Sequence, residues 1–267
     1  MAQAQAEIDL HNAEFWDELC GTAFAKSVGV SDASPQSLAR FDAAYLDFYP
    51  YLEGYLPPPG SSGRVLEIGL GYGTLGQALA ARGLDYSGLD IADGPVEMMR
   101  HRLSNLGVDD AESRVQAGSA LDIPHPADRF QFVYSIGCLH HTGDLPRAVS
   151  EVRRVLVPGG SAVVMLYNRH SLRRAALAVI SLPRLLAGGR GAHEESIRGT
   201  YDRDLVGRPA PIVEYTSRRQ ALRLFAGFRE VSVRRENFDD VKRLPREWFL
   251  GVPARLLGVD LYINATA

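Results

Sequence analysis

The sequence predicts an α/β protein built on a mostly parallel sheet, and three observations carry that expectation. From residue 64 onward, short apolar runs alternate with helical patterns, as strands and helices do in β/α units. The first of these runs, in "VLEIGLGYGTLG" at 65–76, ends in a glycine-rich turn that leads straight into a helix. At 267 residues, with 46% hydrophobic and 23% charged residues, the chain is long and apolar enough to bury one large core.

The elements follow in order. "RVLEIG" reads as the first strand and 74–81 as the first helix of the sheet domain. "YSGLD" is the second strand, followed by a helix over 95–106. "SRVQAG" is the third strand and "FQFVYSIG" the fourth. In the next helix Leu145, Ala148, Val149, Val152, Val155 and Leu156 recur at three- and four-residue steps, with Arg147, Glu151 and Arg154 on the opposite face. Asp144 is its expected N-cap, and "PGG" at 158–160 is expected to end the unit. "SAVVMLY" is the fifth strand, after which the pattern breaks. A basic, partly apolar stretch and then a polar run fill an insertion at about 169–216. Regularity returns with the helix "RRQALRLFAGF", the strand "REVSVRREN" and a last apolar strand near "VDLYINATA". Residues 1–60 read as a helical extension rich in aromatics, among them Trp16, Tyr45 and Tyr49, and 61–267 as the main domain.

Bulk properties narrow the function. A net charge of −3 gives no reason to expect a nucleic-acid partner. Two cysteines, Cys20 and Cys138, lie far apart with no His or Cys at metal spacing, so no disulfide framework or metal site is expected. The acidic N-terminal stretch has no apolar core of signal-peptide length. The longest apolar stretch, at 175–182, is far short of the roughly 20 residues of a membrane span. A cytoplasmic protein without stable membrane insertion is the expectation.

The glycine turn can be read in two registers. From Gly71, "GYGTLG" is a G-x-G-x-x-G dinucleotide fingerprint. That register leaves Gly69 and Glu67 inside the strand, where a glycine and a charge are poor residents. From Glu67, the strand ends at Ile68, and Gly69, Gly71 and Gly73 all fall in the turn, leaving Gly76 to helix packing. An acidic side chain at that strand end suits the cationic methionine portion of a sulfonium cofactor. Asp90, which closes the second strand, is placed to accept hydrogen bonds from ribose hydroxyls of either cofactor.

The segments "VLEIGLGYGTLG", "GLDIA", "AGSALDIPHPADRFQFVYSIGCLHH" and "LPRAVSEVRRVLVPGGSAVVMLYN" have the order and spacing of a class I S-adenosylmethionine (SAM)-dependent methyltransferase. The chain resembles the branch that includes the menaquinone/ubiquinone C-methyltransferases, closely over 64–168 and loosely in the last two strands. The resemblance implies a Rossmann-like, seven-stranded, mostly parallel sheet with an antiparallel last strand. It also implies SAM as cofactor, with S-adenosylhomocysteine as product, and a small-molecule substrate. On that resemblance Glu67, Gly69, Gly71 and Gly73 cradle the methionine end, and Asp90 takes the ribose. Ile91 packs on the adenine face, while Ser119, Ala120 and Leu121 flank its edge. Ser135 and Ile136 lie near the sulfonium. Ser119 departs from the pattern, because the family commonly has Asp there.

Methyl transfer to a hydroxyl is helped by a base that removes its proton. His140 and His141, just after the fourth strand, are the candidates for that role. Tyr45, Tyr167, Arg169 and His170 are candidates to contact the substrate. Arg169, Arg173 and Arg174 could hold an anionic acceptor, line a solvated helix face, or rest on a membrane surface. The leading expectation is an O-methyltransferase on a sugar, glycan or natural-product hydroxyl. The alternatives are a C-methyltransferase on a quinone-like or lipid-linked acceptor, which predicts an aromatic-lined pocket, and a SAM-binding protein without transferase activity.

Overall fold

The structure, a computed structural model, describes residues 2–18, 22–204, 206–239 and 244–267. Cys20 lies outside the described residues. Seven strands form one sheet in the order β3-β2-β1-β4-β5-β7-β6. They are β1 (Arg64–Ile68), β2 (Asp85–Asp90), β3 (Val115–Ala117), β4 (Phe130–Ile136), β5 (Leu156–Tyr167), β6 (Glu230–Glu236) and β7 (Asp260–Thr266). The first five are parallel, and β7 runs antiparallel between β5 and β6, with Val164 opposite Ile263 and Val233 opposite Ile263. Strand order reverses between β1 and β4, the place where ligands bind in open α/β sheets, outside the carboxyl ends of the strands.

The helices are α1 (Ala2–Trp16), α2 (Thr22–Ser27), α3 (Pro35–Phe48), α4 (Thr74–Ala81), α5 (Asp93–Asn105), α6 (Ala111–Arg114), α7 (Leu145–Val155), α8 (Leu172–Ile180), α9 (Leu182–Tyr201), α10 (Arg218–Leu224) and α11 (Val252–Leu257). Successive residues of β1 feed opposite cores, as the two-residue period of a strand requires. Leu66 and Ile68 join Leu89, Val133 and the apolar stripe of α7 on one face. Val65 joins Leu79, Tyr86, Val96, Met99 and Leu103 on the other. Each such buried aliphatic side chain contributes about 1.5–3 kcal/mol.

Helix α7 buries Leu145, Ala148, Val149, Val152 and Val155, and Asp144 caps it by accepting from the Arg147 amide at 3.1 Å. Its polar face has work beyond solvation. Arg147 donates to Leu121 O at 2.7 Å, Glu151 accepts from the Ile123 amide at 2.9 Å, and Arg154 donates to Ile123 O and His125 O. These bonds anchor the loop that follows β3.

Two segments differ from the sequence reading. The third strand is only Val115–Ala117, because residues 111–114 make a helical turn instead of extending it. Residues 158–160 do not end the unit but lie inside β5, where the register to β4 slips between Phe130 and Phe132. A Cβ at Gly160 would stand 2.9 Å from Val157 O and 3.1 Å from Gln131 O, so the irregularity needs a glycine.

The helical extension is tied to the glycine turn by a buried ion pair. Arg102 of α5 grips Asp42 of α3 at 2.9 and 3.0 Å, and Thr74 Oγ1 donates to Asp42 at 2.6 Å. The insertion after β5 contributes α8 and α9. Among the described residues, no helix is long and apolar enough to cross a membrane.

Candidate active site

A cavity of about 890 Å³ runs along the carboxyl ends of the strands, from the turn after β1 to the insertion. Its first half is built from three strand ends. Gly69, Gly71 and Gly73 all line it, with φ of 82°, 51° and 82°, a left-handed backbone that side-chain-bearing residues rarely adopt. A Cβ at Gly69 would also lie 2.3 Å from Cys138 Cβ, so two strand ends meet there without a side chain between them.

Asp90 is on the wall, its carboxylate held in place by the amides of Leu70 at 2.7 Å and Ala92 at 3.0 Å. Burial raises its pKa above the usual carboxylate range, and those amides oppose the rise. Glu67 turns inward beneath the glycines, where Tyr86 Oη donates to its Oε2 at 2.5 Å. Burial pushes the Glu67 carboxyl up to about 8, partly offset by that hydrogen bond. Gly76 of α4 makes room for this pair, because a Cβ there would stand 2.6 Å from both Glu67 Oε2 and Tyr86 Oη. Ile91, Gly118, Ser119, Ala120 and Ile136 complete this half. A cofactor with an adenosine end and a sulfonium end fits these walls: a glycine-floored turn, a fixed carboxylate at the end of β2, and an apolar side chain next to it.

The second half is made by distant segments. Phe24, Phe41, Tyr45, Phe48 and Tyr49 come from the extension, Tyr167 and Tyr262 from β5 and β7, and Phe238 from the end of β6. The rings pack on one another, with Phe41 stacked on Tyr72 at 4.1 Å and Tyr45 tilted on Tyr49 at 4.8 Å. His141, in the short 3-10 turn Leu139–His141, is almost fully buried yet on the wall. Its ring lies 4.8 Å from Trp16 of α1. Its Nδ1 is 2.7 Å from Ile212 O, and since a carbonyl only accepts, Nδ1 carries the proton and Nε2 carries the lone pair. Burial holds the imidazole below the usual histidine range, opposed by the nearby Asp202 carboxylate. Asp202 Oδ2 lies 3.7 Å from Nε2, and its Oδ1 accepts from Tyr167 Oη at 3.0 Å.

Not every residue singled out in the sequence reaches the cavity. His140 is fully buried beside it, with its ring 4.2 Å from that of Tyr167 and 4.3 Å from that of His141. Burial lowers its pKa well below the usual range. Ser135 donates to Ile68 O at 3.0 Å inside the sheet, and Leu121 packs into the core. Arg169 and His170 are exposed, Arg169 donating to Tyr215 O at 3.1 Å. Arg173 is on the wall, its charge met by Asp239. Arg174 lies 3.9 Å over the Tyr215 ring. Among the described residues, no group of three or more His, Cys, Asp or Glu is placed to hold a metal ion. Asp202, Ile212 and Asn12 were not legible beforehand: each acts on His141 across a long chain separation, and no local motif marks them.

Comparison with known proteins agrees with the geometry. The family described as a methyltransferase domain matches residues 65–160. The ubiquinone biosynthesis O-methyltransferase of Alkalilimnicola ehrlichii is 28% identical over 137 residues, 51% of this chain and 55% of that protein. The demethylmenaquinone methyltransferase of Clavibacter sepedonicus is 30% identical over 158 residues, 55% of this chain and 62% of that one. The chain thus spans a little over half of the length of these relatives. A SAM-dependent methyltransferase from Thermotoga maritima, described as a possible histamine N-methyltransferase, shares the fold with a TM-score of 0.55 and 21% identity. That match covers 83% of this chain and 88% of the other. Residues 65–160 thus match a methyltransferase domain, and the chain shares its fold with SAM-dependent methyltransferases.

Proposed function

We propose that the protein is a cytoplasmic enzyme that transfers a methyl group from SAM to a small molecule carrying an apolar ring, quinone-like or lipid-linked, at a ring hydroxyl. The observation that carries this reading is His141, a neutral imidazole with its lone pair on Nε2, on the wall of a cavity rich in aromatic side chains. Bound SAM supplies an electrophilic methyl group. The chain's share is to hold, to exclude water and to take a proton. Gly69, Gly71 and Gly73 floor the methionine end, Asp90 takes the ribose, and Ile91, Ser119 and Ala120 enclose the adenine. Glu67 acts from below, through Tyr86 and the turn. His141 Nε2 takes the proton of the acceptor hydroxyl, and burial, by keeping the imidazole neutral near pH 7, keeps that lone pair available.

A sugar or glycan acceptor, the leading expectation from the sequence, is less well supported. The wall formed by Tyr45, Tyr49, Phe48 and Tyr262 favours a flat apolar ring, and so do the names of the two curated relatives. A second reading, transfer to a ring carbon beside the hydroxyl, rests on the same residues, because removing the hydroxyl proton also activates that carbon. The continuous cavity from the glycine turn to Asp202 favours a transferase over a protein that only binds the cofactor.

The test uses SAM with a reduced short-chain quinol and, separately, an aryl glycoside. Methylation of the quinol is expected, and NMR of the product distinguishes oxygen from carbon. Methylation of the glycoside alone would overturn the choice of acceptor. Calorimetry should show binding of S-adenosylhomocysteine and none of NADH.

A further inference from the structure

Both ring nitrogens of His141 face residues of the insertion, not of the sheet domain. Ile212 O receives the Nδ1 proton at 2.7 Å, and Asp202 Oδ2 stands 3.7 Å from Nε2. The backbone agrees, for the Glu214 amide donates to His140 O at 2.8 Å and so fastens the insertion to the turn that carries His141. Asp202 is itself held firmly. Its amide donates to Arg198 O at 3.2 Å as the last turn of α9 ends, and Tyr167 Oη fixes its Oδ1. That leaves Oδ2 buried and facing His141, without a hydrogen-bond partner among the described residues. Nε2 is in the same condition.

Two buried acceptor atoms facing one another at 3.7 Å are unfavourable until a proton arrives between them. We propose that Asp202 is the positioning residue for His141: the insertion supplies the carboxylate that stabilises the imidazolium formed when Nε2 takes the acceptor's proton. This rests on the reading of His141 as the base. The balance is simple. The acceptor O–H bond breaks and its proton goes to Nε2. The oxygen takes the methyl group as the carbon–sulfur bond breaks, and the positive charge lost by the sulfonium reappears on His141. Without Asp202 that charge would form in a buried site beside His140, Trp16 and Tyr167, none of which is anionic. Of the other charged groups nearby, Asp9 lines the cavity from α1, and Arg173 of α8 acts on Asp202 while paired with Asp239. Asp202 is the carboxylate that directly faces Nε2 among the described residues. The insertion is therefore part of the reacting centre as well as its cover.

The experiment is a titration of the His141 ring by nitrogen-15 NMR in the full chain without ligands, comparing the wild type with Asp202→Asn. Removal of the carboxylate should move the His141 midpoint to lower pH. With SAM and the short-chain quinol, the acidic limb of the rate profile should move in the same direction, and turnover should fall about 10- to 1,000-fold. Superimposable His141 titrations in the two proteins would overturn the proposal, even if Asp202→Asn were inactive. Should Asp202→Asn fail to fold, Tyr167→Phe serves. It removes the hydrogen bond that helps keep Asp202 ionised, so the carboxyl protonates more readily and the His141 midpoint should shift the same way, and an unmoved midpoint there counts against the proposal. Full turnover in His141→Ala would sink the assignment of the base, whereas the NMR coupling would still report on Asp202.

Discussion

The two halves of the cavity, proposed above to hold cofactor and acceptor, are built on different plans. The cofactor half draws on a strand, a turn and a helix start within ten residues, plus the carboxylate that closes the neighbouring strand. The acceptor half takes side chains from α1, α3, β5, β7 and the insertion, and the groups that act on His141 come from sites 71 residues away along the chain in one case and 129 in another. The first can be rigid because each part is covalently close to the next. The second can vary, because its parts meet only through packing. A family can thus keep one cofactor while it changes acceptors.

The sharpest way to break this contrast is at the junction of the halves. His141→Ala should lower turnover about 10²- to 10⁴-fold, with the affinity for S-adenosylhomocysteine unchanged by calorimetry. A matching loss of cofactor affinity would show that the halves are not separable. Asp42→Ala tests the opposite point, where the extension holds the glycine turn. It strands the Arg102 guanidinium, only 1% exposed, and should cost about 3–5 kcal/mol in denaturant unfolding. Asp90→Ala acts on the cofactor half alone. It should weaken S-adenosylhomocysteine binding about 10- to 100-fold, since charge-assisted hydrogen bonds contribute about 1.5–3 kcal/mol.

The pH-dependent effect concerns Glu67. Its folded pKa of about 8 lies above the unfolded value of 4.5, so its contribution is complete below pH 4.5 and declines as the pH rises toward 8. Glu67→Gln should therefore remove a decline in stability of at most about 1.4 kcal/mol per pH unit across that window. Parallel stability curves for the two proteins would mean that Glu67 is already ionised in the fold.

Legibility in the sequence followed the same division. The glycine turn, α4 and the stripe of α7 came through because each depends on neighbours within a dozen residues. The placing of Ile68 at the strand end and of Gly69, Gly71 and Gly73 in the turn matches the structure, where all three glycines adopt positive φ. The short β3 was overestimated because residues 113–118 have strand composition while the preceding turn closes as a helix. On the acceptor side, His140 and His141 look alike in a string of letters. Only the packing of Tyr167 and α1 turns one ring into the wall and the other away from the cavity. Arg169 and His170 sit close to the site in sequence, but the chain has already turned outward when it reaches them.

Helix α1 spans both halves. Gln5 donates to Thr142 O at 2.8 Å, Asn12 donates to His141 O at 2.7 Å, and Asp17, just past its end, accepts from the Gly94 amide at 2.8 Å. A Cβ at Gly94 would lie 2.3 Å from Asp17 O. One methyl group at position 94 is thus a lever on a segment 77 residues earlier in the chain. Gly94→Ala would prise that end of the strap loose beside Trp16, whose ring packs on that of His141, so a change made outside the cavity would reach the ring on its wall.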